Sequence, residues 1–177
     1  QVEPKKISVI LHNQTLVSNA EVAWAPRRIE FYTATPQSTY SQPWYEQLAL
    51  HEYTHVLQIS AIKEGISGVL NTIFGEQYSV GVWGLYVPYW FIEGDAVVAE
   101  TALSESGRGR DPNFEADLRA QLLQLGPYSL EKASLGSYED FTANRYCLGY
   151  YLVGQGRLNY GLNFWNKPLN NVSRYPF

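Results

Sequence analysis

The tightest constraint on this chain is a five-residue segment, His51-Glu52-Tyr53-Thr54-His55, inside an apolar stretch from Trp44 to about Ile59. Leu48, His51, His55 and Gln58 recur at helical spacing, with Leu50, Tyr53, Thr54 and Leu57 interleaved, so the stretch reads as a buried or half-buried helix. Residues i and i+4 of a helix lie ~40° apart around its axis and one turn along it. Both imidazoles can therefore face one metal ion, and zinc accepts imidazole nitrogen at ~2.0–2.1 Å in a tetrahedral shell. Burying two imidazoles and a carboxylate without a shared partner is costly. The spacing thus predicts one zinc ion held by His51 and His55, with Glu52 beside it as general base toward water. Two of the three histidines in the chain belong to this segment. The third, His12, falls in a strand-like region and reads as a surface or core histidine.

A catalytic zinc takes a third protein ligand and keeps its fourth position open. Ala61 stands where a histidine six residues after His55 would supply it. Downstream, Trp90-Phe91-Ile92-Glu93-Gly94-Asp95-Ala96 offers Glu93 at the start of an apolar helix. Asp95 is the rival, about 200° round that helix. Glu100 shares the face of Glu93 seven residues on. It reads equally as a carboxylate orienting a histidine and as a solvated helix residue.

Composition narrows the function classes. The 177 residues are 45% hydrophobic and 15% aromatic, which excludes bulk disorder and gives one domain a sizeable core. A net charge of −4 leaves no footprint for nucleic acid or for attachment to an acidic membrane surface. No run reaches ~18 apolar residues, so no membrane span is expected. One cysteine, Cys147, can neither close an intrachain disulfide nor build a multi-cysteine zinc site. With no methionine, residue 1 is not an initiator, and the chain reads as a processed or excised piece of a longer protein whose further domains are expected partners. Low charge and 14 tyrosines suggest export, to a bacterial periplasm or cell envelope.

Along the chain, residues 1–43 read as a strand-rich lobe and 44–177 as a helical lobe of a single α+β domain. Strands are expected at Ile7 to Leu11, Glu21 to Trp24 and Arg28 to Thr33, followed by a loop from Thr35 to Pro43. Glu21 to Trp24 or Arg28 to Thr33 is expected to be an edge that pairs with extended peptide. Helices follow at Trp44 to Ile59, in pieces from Ala61 to Ser79, at Trp90 to Leu103, Asn113 to Leu125 (capped by Asn113), Ser129 to Leu135 and Asn144 to Leu158. Tyr78 to Tyr89 reads as irregular, and Gly107 to Pro112 as a flexible solvated loop in which Arg108 and Arg110 are ordinary surface residues. Cys147 reads as a small buried hydrophobe.

The segment His51 to His55 followed by Trp90-Phe91-Ile92-Glu93-Gly94-Asp95-Ala96 resembles the gluzincin metallopeptidases of the aminopeptidase N type, with bacterial peptidase MA-like proteins as the nearest look-alikes. The likeness runs from Trp44 to Gly149. It implies a zincin-like catalytic domain that hydrolyses peptide or protein substrates, with Glu93 as the third zinc ligand. It also implies that Tyr146, in Tyr146-Cys147-Leu148-Gly149, donates its phenol to the oxyanion; Tyr150 is the next phenol on that helix. Two departures stand out. Glu93 follows His55 by 38 residues, so an insertion of roughly Gly65 to Val87 separates the ligand helices. The family's Gly-Ala-Met-Glu-Asn strand is absent, which leaves aminopeptidase against endopeptidase undecided. The competing expectation is a binding module that keeps the fold without activity.

Overall fold

The computed structural model describes residues 6–24, 26–36 and 42–176. Within them the chain is mixed α+β, with three strands in one sheet and eight helices. It divides into two compact units. One takes the chain up to Val87 and its last segment from Asn166; the other is Pro88–Trp165. Most of the loop expected from Thr35 to Pro43 lies outside the described residues.

In the first unit, β1 (Ser8–His12) pairs parallel with β3 (Arg28–Thr33), which pairs antiparallel with β2 (Ser18–Ala23). The sheet order is β1-β3-β2. Arg28–Thr33 is therefore the central strand and not an edge, which leaves Glu21 to Trp24, most of it on β2, of the two segments expected to supply one. Its alternation explains the placement: Ile29 and Phe31 are buried under α1 (Trp44–Ala61), where Ala20 and Val56 complete a small core. Leu48 and Val22 pack against that core, so the apolar stripe of α1 and the inner face of the sheet cover each other.

Helices α2 (Gly65–Phe74) and α3 (Glu76–Tyr86) follow. The stretch read as irregular from Tyr78 is helical to Tyr86. Gly81 and Gly84, which suggested a break, sit in the helix with open space beside them, while the break falls at Gly75, at φ 77°. Ser79 donates to the Ile62 carbonyl (2.8 Å) and accepts from Asn71 (2.7 Å), which joins α3 to the turn before α2. A final helix, α8 (Asn166–Arg174), returns to this unit. Its buried Ser173 hydroxyl accepts from the Glu64 amide at 2.8 Å. Its sequence, Asn-Lys-Pro-Leu-Asn-Asn-Val-Ser-Arg, has only two large apolar residues, too few for a legible period.

The second unit is helical. It contains α4 (Tyr89–Ala102), a 3-10 turn at Arg108–Arg110, α5 (Pro112–Gln124), α6 (Leu130–Leu135) and α7 (Arg145–Tyr160). Asp111 rather than Asn113 caps α5, accepting from the Asn113 amide, because Pro112 takes the first helical position, where a missing N–H does no harm. Ser129 and Asn144 cap α6 and α7.

Helices α4 and α7 cross backbone against backbone. A Cβ at Gly149 would fall 1.9 Å from the Trp90 carbonyl oxygen, and one at Gly94 would fall 2.2 Å from the Gly149 carbonyl carbon. The glycine of the Glu-Gly segment and the glycine of Tyr-x-x-Gly are thus one packing device. Around the crossing, Phe91, Ile92, Ala96, Val97, Cys147 and Val153 are buried. The Trp165 ring packs on Phe91 and donates from its indole nitrogen to the Val153 carbonyl at 3.1 Å.

Candidate metal centre

Helix α1 turns His51, Glu52 and His55 inward, each under a tenth exposed. The Nε2 atoms of His51 and His55 lie 3.2 Å apart, and the two rings stand edge to face, 90° between planes. Two ligands at ~2.0–2.1 Å in a tetrahedral shell are separated by roughly 3.3 Å. The spacing of the pair is thus close to that of two ligands on one metal ion. The Gln58 side-chain oxygen lies 3.0 Å from His55 Nδ1. Donation from Nδ1–H to this amide oxygen leaves the Nε2 lone pair for a metal. The Trp83 ring packs edge-on against His55 at 5.8 Å and fixes the imidazole from a second side.

His12 takes no part in this. Its Nε2 pairs with Glu30 at 2.7 Å and its ring stacks on Tyr32, as expected of an ordinary histidine. Together with Arg28, it holds the Glu30 carboxyl below the ordinary carboxylate range.

The remaining residues singled out in the sequence belong to the second unit. Glu93 is buried on α4. Asp95, its rival, accepts from the Arg157 guanidinium at 2.5 Å. Glu100 is completely buried, so the reading as a solvated residue is wrong. Its carboxylate accepts from Arg108 three times: from Nε at 2.7 Å, from Nη2 at 2.8 Å and from the backbone amide at 3.1 Å. Arg108 is correspondingly no flexible loop residue. The glycines on either side of it allow the close approach. A Cβ at Gly107 would fall 2.5 Å from the Thr101 Cα, and one at Gly109 would fall 2.6 Å from the Tyr150 hydroxyl. Gly107, at φ 72°, is the position where a side chain would meet the backbone of α4.

Tyr146 stands at the start of α7. Its hydroxyl is 3.2 Å from that of Tyr89, the first residue of α4. The Arg108 guanidinium lies over the Tyr146 ring at 5.5 Å, and that of Arg145 over the Tyr89 ring at 4.9 Å. Burial, followed by the bond to Tyr89, holds the Tyr146 phenol far above its ordinary value, so it stays protonated and able to donate. Tyr89 was not foreseen, since nothing in its spacing separates it from 13 other tyrosines. Tyr150 packs over Gly109 instead. Cys147 is buried, and burial pushes its thiol up to about 11.

No protein-family model, curated protein or solved structure matches the chain. Among the described residues no helix is long and apolar enough to cross a membrane.

Proposed function

We propose that this chain is a zincin-like catalytic domain of the gluzincin type, which hydrolyses peptide bonds with one zinc ion. The observation that carries the reading is the pair of buried Nε2 atoms 3.2 Å apart on α1, with buried Glu52 next to the first of them. His51, His55 and Glu93 would hold the metal, each offering one ligand atom. Asp95 is the weaker candidate because Arg157 already neutralises it. Zinc bound there supplies Lewis acidity toward a scissile carbonyl and toward water.

The chain's own residues account for the rest. Glu52, one residue from a ligand but outside the ligand row, takes a proton from the attacking water and passes it to the leaving amine. Tyr146 donates its phenolic proton to the carbonyl oxygen as that oxygen gains charge. Among the described residues β2 has one neighbour in the sheet, so its outer edge suits an extended peptide.

The test is metal content together with a digest of a broad peptide library, on the parent and on Glu52→Gln. Near-stoichiometric zinc in both, with cleavage by the parent alone, is the expected result. Zinc without cleavage in either would return the chain to the binding-module reading. A parent that takes up no zinc would remove the metal site itself.

A further inference from the structure

The second unit contains a buried ion pair outside the zinc-ligand set. Glu100 is completely buried, and Arg108 meets it in a fork, one side-chain nitrogen on each carboxylate oxygen. Such a pair is costly to bury and is weak evidence of a purely stabilising role. The turn that carries Arg108 is also pinned by its backbone: the Gly109 amide donates to the Thr101 hydroxyl at 3.0 Å. The turn is thereby fixed to α4 at Thr101 and the guanidinium at Glu100, and the guanidinium carbon lies over the Tyr146 ring, 5.5 Å from the centroid.

We propose that Arg108 is a positioning residue for Tyr146. Glu100 anchors the guanidinium, the guanidinium fixes the phenol ring, and the ring's hydroxyl is thereby aimed. A tyrosine on a helix still has a ring free to pivot about its side-chain bonds. A cation held over one face and the Tyr89 ring set edge-on to it (87°, 6.2 Å) remove that freedom. The guanidinium also draws electron density from the ring and makes the O–H a stronger donor without taking its proton. Lysine cannot substitute fully, because one ammonium cannot fork onto both Glu100 oxygens and reach over the ring together. The catalytic consequence rests on the peptidase reading given above; the geometric one does not.

The experiment follows both consequences. The full chain is labelled with 3-fluorotyrosine, and the Tyr146 resonance is assigned by its loss in Tyr146→Phe. Arg108→Gln is expected to move that resonance, and Arg108→Lys to move it less, while the signal of Tyr138, an exposed residue, stays in place. In turnover, Arg108→Gln should lower kcat about tenfold with little change in KM, the size of one good cation–π contact. In the Tyr146→Phe background the same change should cost less than about twofold, because residues acting through one another are not additive. An unmoved Tyr146 resonance in both arginine variants overturns the proposal. So does a kcat loss that carries over undiminished into Tyr146→Phe. If the parent hydrolyses nothing, the peptidase reading fails, and the resonance alone decides whether Arg108 positions the phenol.

Discussion

The Nε2 atoms of His51 and His55 face each other at 3.2 Å inside a helix otherwise packed against the sheet. Two imidazole nitrogens at that separation, shielded from water, are favourable only with a proton or a cation between them. His51→Ala and His55→Ala are each expected to abolish stoichiometric zinc binding. Glu93→Ala should weaken it strongly, since two histidines alone hold zinc poorly. Metal analysis after dialysis against a weak chelator checks this. Full zinc retention by Glu93→Ala, with loss in Asp95→Ala, would assign the third ligand to Asp95.

The glycine crossing makes a sharper structural claim. A methyl group on Gly149 would have to overlap the Trp90 carbonyl, and neither backbone can retreat without separating α4 from α7. Gly149→Ala is therefore expected to destabilise the protein by about 1–3 kcal/mol or more, as overpacking does. Gly154→Ala, on the same helix, meets nothing closer than the Val98 methyl at 3.8 Å and should be nearly neutral. Thermal melts of the two variants side by side would decide it. Equal melting temperatures would contradict the close crossing.

How far the sequence alone reaches is visible in these same residues. The inward placement of His51, Glu52 and His55 was legible because i, i+4 spacing on an apolar helix is a local property of one helix. β3 was legible residue for residue, Arg28 to Thr33, because its alternation matches a strand with one face on a core. Its place at the centre of the sheet was not, since sheet order depends on pairing between strands that the pattern of one strand does not encode. Arg108 and Tyr89 were missed for the same reason. A Gly-Arg-Gly-Arg run normally means solvent, and only the turn at Gly107 brings its arginine back against Glu100. The glycines at 94 and 149 were visible as motif letters. Their physical role, a backbone contact across 55 residues of chain, required the fold.

Glu30 connects stability to pH. Its carboxyl accepts from His12 and from Arg28, and these bonds hold it below its ordinary value of 4.5. A carboxyl whose value is depressed on folding stabilises the native state above its unfolded value and loses that contribution as pH falls through the folded one. Stability should therefore decline as pH falls below 4.5. In Glu30→Gln that part of the decline should be shallower. Urea midpoints measured across this range would show it. Parallel profiles for the two proteins would mean that Glu30 titrates alike in both states.

The two phenols at the starts of α4 and α7 separate a catalytic reading from a structural one. Tyr146 and Tyr89 share one hydrogen bond, so each phenol helps to orient the other. If Tyr146 is the outward donor, Tyr146→Phe should lower kcat ~10²–10³-fold, the usual cost of losing one oxyanion donor. Zinc content should be unchanged. Tyr89→Phe removes the partner that orients this hydroxyl, and its kcat should fall by a smaller factor, about tenfold. Tyr150→Phe, whose ring packs over Gly109, should leave kcat where it was. The order Tyr146, Tyr89, Tyr150 is the expected ranking in a steady-state assay on one peptide substrate. A larger loss in Tyr89→Phe than in Tyr146→Phe would reverse the donor and its support. Full turnover in Tyr146→Phe would remove this helix from the chemistry.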